Sequence, residues 1–251
     1  MITIKRNNVS KFGLIGKNIH YSFSKKFFSE KFKRENLPFT YENFDIPSIE
    51  KFPEIISNTP NLKGLNVTIP YKEKVIPFLD SLASDAEKIG AVNTIKFSEN
   101  GKLTGYNTDH FGFHKALEPF LPLQKKTALI LGTGGASKAV AFALQHLGFD
   151  FKFVSRNKGN RILEYSALNK TVIENNLLII NCTPLGTFPN IADCPPLPYQ
   201  FLTENHLLFD LIYNPDETEF LKRGKLQGAA TTNGLIMLEL QAMKAWTIWN
   251  S

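Results

Sequence analysis

Leu129-Ile130-Leu131-Gly132-Thr133-Gly134-Gly135-Ala136-Ser137-Lys138-Ala139 is the stretch whose reading decides the fold. An apolar strand, Ala128 to Leu131, enters a glycine-rich turn and leaves it as a helix expected over Ala136 to Leu147, stopped by Gly148. Strand, tight turn and helix in that order open a dinucleotide-binding unit. The glycines have a physical purpose: a side chain at Gly132 or Gly134 would block the turn and hold the backbone away from a pyrophosphate, which sits against the N–H groups and positive dipole end of the helix. The third small position of the pattern is Ser137 rather than Gly or Ala.

Outward from that turn, the next apolar run, Phe149 to Val154, ends in Ser155-Arg156-Asn157-Lys158. An Asp or Glu closing this second strand would accept hydrogen bonds from a ribose 2′-OH, whereas an Arg accommodates a 2′-phosphate. Arg156 follows Gly132 by 24 positions, close to the roughly 20-residue offset of the ribose contact. The cofactor expected is therefore NADP.

The chain has 251 residues, 43% hydrophobic and 21% charged, which fits one large or two modest globular domains. Cys182 and Cys194 form no CxxC pair and no disulfide framework, and no secretory leader or membrane-spanning run is apparent, so a cytoplasmic protein is expected. A net charge of +6 comes with no nucleic-acid-binding motif; small anionic ligands account for it equally well. In the densest basic run, Ser24 to Arg34, Phe28 and Phe32 recur at helical spacing, which predicts a helix with an apolar stripe and a solvated basic face.

Phe12 to Gly16, Phe39 to Phe44 and Gly64 to Thr68 read as strands, and Pro47 opens a helix to about Ser57. Ser24 is expected to cap the basic helix, which leaves Ser22 without a structural task. Pro70 ends the third strand and places Lys72 at the start of a helix, electrostatically the wrong end for a lysine, at the strand edge where open α/β sheets bind ligands. Ala91 to Ile95 and Leu103 to Thr108 form a strand pair, and Asp109 is placed to cap a helix over Phe111 to Leu117. His110 and His114 have the spacing of two metal ligands but no third, so no metal is expected. Leu177 to Cys182 and Leu207 to Tyr213 are near-continuous apolar strands of the doubly buried kind, and Gly234 to Trp249 is a long amphipathic helix. The alternation on both sides of residue 109 predicts an α/β fold of two layers.

Eight segments in order, Ser22-Phe23-Ser24, Asn66 to Lys72, Gly90 to Thr94, Gly105 to Asp109, Gly132 to Ala136, Asn181 to Gly186, Asp210 to Pro215, and Gly234 to Leu238 with Gln241-Ala242, resemble the shikimate dehydrogenase family. The resemblance implies a substrate domain with a mainly parallel sheet (1–108 plus 234–251), a Rossmann-like NADP-binding domain (109–233) and an active site in the cleft between them. It implies Lys72 and Asp109 as the catalytic pair, and Ser22, Ser24, Thr68, Asn93, Tyr213 and Gln241 as contacts to shikimate or 3-dehydroshikimate. For NADP it implies Gly132, Gly134, Gly135, Ala136, Ser155, Arg156, Lys158, Thr187 and Gly234. Lys25 and Asn18 stand where the family pattern has prolines, Thr187 where it has Met, and Ser155 where it has Asn.

Reducing a ketone with NADPH builds negative charge on oxygen, so the site needs a cation and a proton source there; lysine, cationic at neutral pH, supplies both. Partners expected are the small-molecule substrate, with no nucleic acid or membrane, in a monomer or homodimer. A quinate/shikimate dehydrogenase of relaxed specificity and a non-catalytic NADP or metabolite sensor are the alternatives.

Overall fold

The computed structural model describes residues 9–19, 22–156, 159 and 162–251. The elements are β1 (Ser10–Gly16), α1 (Phe23–Arg34), β2 (Phe39–Asp45), α2 (Phe52–Asn58), β3 (Leu62–Val67), β4 (Ser81–Leu82), α3 (Ser84–Ile89), β5 (Thr94–Phe97), β6 (Leu103–Tyr106) and α4 (Asp109–Leu117). There follow β7 (Thr127–Leu131), α5 (Gly135–His146), β8 (Asp150–Ser155), β9 (Ile162–Glu164), α6 (Lys170–Glu174), β10 (Leu178–Asn181), β11 (Leu207–Asp210), α7 (Glu219–Leu226), β12 (Ala230–Thr232) and α8 (Leu235–Trp249). They form two compact units, one running to Thr108 and taking in Ala242–Ser251, the other Asp109–Gln241. The second division thus falls inside α8, later than residue 233.

The first unit carries a six-stranded sheet in the order β2-β1-β3-β5-β6-β4. β1 runs parallel to β2 and β3, and β4 to β6, while β5 is antiparallel to both neighbours. Pairing of Ile15 with Val67, Asn66 with Thr94 and Thr94 with Tyr106 brings the carboxyl ends of β1, β3 and β6 to one edge, together with the start of β5. One face is covered by Phe52, Val75, Ala86 and other apolar side chains. On the other, Phe12, Phe28, Phe32, Tyr41 and Trp249 form an aromatic cluster, with Phe28 stacked on Tyr41 at 4.8 Å and 11°. The basic face of α1 is not wholly solvated: Lys31 is buried, its Nζ 2.7 Å from Glu35 Oε1 and over the Trp246 ring.

The second unit is a doubly wound sheet, β12-β11-β10-β7-β8-β9, parallel throughout. From β7 the chain winds outward through β8 and β9, then returns to β10 on the other side. The order therefore reverses between β7 and β10, which is where such sheets bind ligands. Leu129, Leu131, Ile179 and Leu208 pack on one face, and Ile130, Ile180 and Phe209 on the other, which accounts for their unbroken apolar runs.

Four local readings are corrected. Ser22 caps α1, its Oγ accepting from Lys25 N at 3.3 Å, while Ser24 lies inside the helix and is buried. Asp109 is the first residue of α4, not its cap. The Pro47 segment begins as a 3-10 turn over Ile49–Lys51, and the α-helix starts at Phe52 with Pro53 in its first turn, where a missing N–H costs nothing. No α-helix follows Lys72: its carbonyl accepts from Val92 N at 2.7 Å, so residue 76 turns to Glu73 O instead and Pro77 has no N–H to offer.

Trp249 lies on Gly64 of β3 and donates its indole N–H to Ile95 O at 3.0 Å. A Cβ on residue 64 would collide with the indole ring. Gly64→Ala is expected to lower the unfolding free energy by about 1–3 kcal/mol in urea titrations; an unchanged midpoint would contradict this packing.

Candidate active site

In the first unit the expected substrate residues gather at one sheet edge. Ser22 and Ser24 open the helix after β1, Thr68 follows β3, and Asn93 precedes β5. Thr68 N–H donates to Ile15 O and Asn93 N–H to Tyr106 O, at 2.9 and 3.0 Å, which ties the loops to the strand ends. The Asn93 amide is buried; its Oδ1 accepts from Thr108 N at 2.7 Å and its Nδ2 donates to Thr108 Oγ1 at 2.9 Å. The Tyr41 hydroxyl donates to Asn66 Oδ1 at 2.7 Å and bonds the Ser24 side chain; burial pushes this phenol well up, with the Ser24 bond opposing. Lys72, half-buried, is placed at this edge by its carbonyl's bond to Val92.

Asn18 has φ +59°, and its N–H, with that of Ile19, donates to the Asp45 carboxylate at 2.9 and 3.2 Å. Proline could supply neither the dihedral nor the N–H, so Asp45 explains how this chain builds the turn with asparagine.

In the second unit the expected cofactor residues all lie beyond carboxyl ends of parallel strands: Gly132, Gly134, Gly135 and Ala136 after β7, Ser155 and Arg156 closing β8, Thr187 after β10, and Gly234 after β12. Lys158 falls outside the described residues. Gly132 has φ +105°, and a Cβ there would also approach Cys182 O. Gly134 differs from expectation: its φ is −83°, and a Cβ would meet nothing within 4 Å. The turn itself does not require glycine at 134; only an incoming ligand would. With Thr133 and Gly134 exposed at the N-terminus of the 12-residue α5, the loop fits a pyrophosphate. Ser137, fully buried, bonds Gly134 O at 2.6 Å and fills the third small position. Gly234 is needed by the chain itself, since a Cβ there would overlap the Leu211 carbonyl.

Tyr213 is half-buried after β11, and Gln241 is buried on α8, donating to Leu238 O at 2.9 Å. Asp109 is buried at the start of α4, where the helix dipole favours a carboxylate. Its charge reaches Cys182, whose thiol is pushed well up by burial first and then by Asp210 and Asp109. Among the described residues no cluster of three His, Cys, Asp or Glu could hold a metal; His110 packs edge-on against Phe142 and His114 faces Glu118. No helix among them is long and apolar enough to cross a membrane.

Sequence reasoning missed three buried polar groups at these edges. Tyr41 carries Ser24, and Asp210 joins the loops after β10 and β11. Tyr165, with no hydroxyl partner among the described residues and a pKa of about 12, burial outweighing the opposing Arg156 charge, stands close to that arginine. One signal was legible: the apolar runs Leu178–Asn181 and Leu207–Asp210 each end in a polar residue.

An all-parallel doubly wound sheet with a glycine turn at its switch point defines a dinucleotide-binding α/β protein. Residues 14–95 match the shikimate dehydrogenase substrate binding domain family. The NADP(+) shikimate dehydrogenase of Clostridium botulinum is 39% identical, covering 94% of this chain and 95% of that one. The shikimate dehydrogenase 1 structure from Peptoclostridium difficile is 38% identical, with TM-score 0.86 over 96% of this chain and 92% of that one. The Thermus thermophilus enzyme, in complex with NADP(H) and shikimate, is 30% identical, with TM-score 0.84 over 96% and 93%. The chain belongs to the shikimate dehydrogenase family.

Asp210 also makes a pH prediction. Burial raises its pKa from 3.8 to about 6, against the opposing bonds from Thr218, Ile212 and Asn181. The fold thus favours the protonated carboxyl, and the stability gained is full below about pH 4 and lost as pH rises through about 6. Relative to Asp210→Asn, the wild type should lose on the order of 2–3 kcal/mol of unfolding free energy across that window. Parallel pH curves for the two proteins would contradict it.

Proposed function

We propose that the chain catalyses the reversible NADPH-dependent reduction of 3-dehydroshikimate to shikimate. The observation that carries this reading is family membership over nearly the whole chain together with retention of Lys72, Asp109 and an Arg closing β8. NADPH, when bound, supplies the hydride. Gly132, Gly134, Gly135 and Ala136 hold the pyrophosphate, and Arg156 and Lys158 the 2′-phosphate, with Ser155, Thr187 and Gly234 completing the cofactor contacts. Ser22, Ser24, Thr68, Asn93, Tyr213 and Gln241 bind the substrate's carboxylate and hydroxyls. The first unit serves as the substrate domain and the second as the cofactor domain, in a cytoplasmic monomer or homodimer.

Lys72 stabilises charge on the reacting oxygen and delivers its proton; in the oxidative direction the Lys72 and Asp109 pair takes that proton back. Substrate binding without chemistry would need no such pair. Following nicotinamide absorbance with shikimate or quinate, each with NADP or NAD, tests the reading. Turnover of shikimate with NADP supports it, comparable use of quinate and NAD points to the relaxed-specificity enzyme, and no turnover with any pair refutes it.

Two variants separate the roles. Lys72→Ala should lower kcat by about 10²- to 10⁴-fold with far less effect on the shikimate KM; a loss confined to KM would make Lys72 a binding group only. Arg156→Ala should raise the KM for NADP by about one to two decades and leave that for NAD nearly unchanged. Equal losses with both cofactors would contradict the 2′-phosphate assignment.

A further inference from the structure

Where β10 and β11 end, the second unit buries a carboxylate that the reaction itself does not use. Asp210, Asn181 and Thr218 are each fully buried. Asp210 Oδ2 accepts from the Thr218 hydroxyl at 2.6 Å, and Oδ1 accepts from Asn181 Nδ2 at 3.1 Å and from Ile212 N at 3.0 Å. Neutral donors alone offset the desolvation of this carboxylate only in part, and an apolar or amide side chain would fill the same space at lower cost. Fold stability is therefore a poor reason for keeping it.

The bonds lead to loops. Asn181 Oδ1 accepts from the Thr183 N–H at 3.0 Å and the Thr183 hydroxyl at 2.7 Å, and Thr183 Oγ1 accepts from Leu185 N at 3.3 Å, shaping the segment that carries Thr187. Ile212, held by Asp210, precedes Tyr213 and accepts from Gly234 N at 3.0 Å. Phe188 N donates to Asn214 O at 3.2 Å and fastens the first loop to the second. Thr218 in turn caps α7, which follows.

We propose that Asp210 is a positioning residue for the cofactor, setting through Asn181, Thr218 and Ile212 the loops that carry Thr187 and Gly234. The inference rests on the NADP reading above. Its reach is three loops from one side chain, because its bonds to Asn181 and Ile212 are made where the backbone leaves β10 and β11, and its bond to Thr218 is made where α7 begins.

The test compares Asp210→Asn, Thr218→Val and Thr218→Ser with wild type, measuring thermal midpoints, KM for NADP and for shikimate, and NADP binding by titration calorimetry. Asp210→Asn and Thr218→Val should raise the KM and Kd for NADP by about 5- to 50-fold, with the shikimate KM moving far less. Thr218→Ser, which keeps the hydroxyl, should return both constants to within about twofold of wild type. A purely structural role would lower the thermal midpoint and leave the NADP constants of the folded protein unchanged, and that result overturns the proposal. Should Asp210→Asn fail to fold, the Thr218 pair decides alone. Arg156→Ala is run alongside. If it weakens NADP while the Asp210 and Thr218 variants do not, only the positioning role fails; if wild type does not bind NADP, the reading beneath it fails as well.

Discussion

Buried amide and carboxylate side chains at the ends of apolar strands are the constraint on which this structure depends. A parallel strand covered on both faces must surrender its backbone groups to a loop at its carboxyl end, and there neither ladder nor solvent satisfies them. Asn66 near the end of β3, which donates to the Asn93 carbonyl, Asn93 before β5, Asn181 ending β10 and Asp210 ending β11 answer that need. Each bonds a neighbouring loop through its side chain, so the loops at one sheet edge acquire defined directions. The expected binding residues of each unit sit on or beside these loops.

The cost and the use of these groups are linked. Each would be replaced by a leucine or methionine with little loss if packing were the sole demand. A half-satisfied polar group is expensive in a dry interior, so such a network holds its geometry or fails outright. That all-or-none character suits a surface that must present glycine N–H groups, hydroxyls and charges to small polar ligands without reorganising. The aromatic cluster of Phe12, Phe28, Phe32, Tyr41 and Trp249 does the complementary work: it supplies apolar burial, and through Tyr41 it fixes Ser24.

What was legible in the sequence follows the same division. Runs such as Leu129 to Leu131, Leu178 to Ile180 and Leu207 to Phe209 declared their strands because burial on both faces leaves a continuous apolar signature. The glycine turn was legible because Gly132 truly needs positive φ, though Gly134 does not. Short elements that rest on tertiary pairing, β4, β9, β12, α3 and α6, carried no comparable period. Ser22 and Ser24 exchanged roles because both suit a cap locally, and only the position of the helix start, with Ser24 turned toward Tyr41, separates them. Lys31 read as solvated because Trp246, over whose ring its ammonium lies, is brought to it by tertiary packing, whereas Glu35 is its i,i+4 neighbour on the same helix. The turn at Lys72 depends on a bond to Val92, twenty positions away, which no local pattern records.

Hydrogen exchange with each ligand added separately tests most directly the claim that both binding surfaces are built at these strand ends. With shikimate, protection should rise in segments 22–26, 66–73, 92–94, 212–214 and 239–242; with NADP, in 132–138, 154–156, 183–188 and 233–235. Protection confined to those segments, in two distinct sets, is the predicted result. Protection by either ligand at the opposite edges of the sheets, or none at all in the glycine turn with NADP, would contradict it.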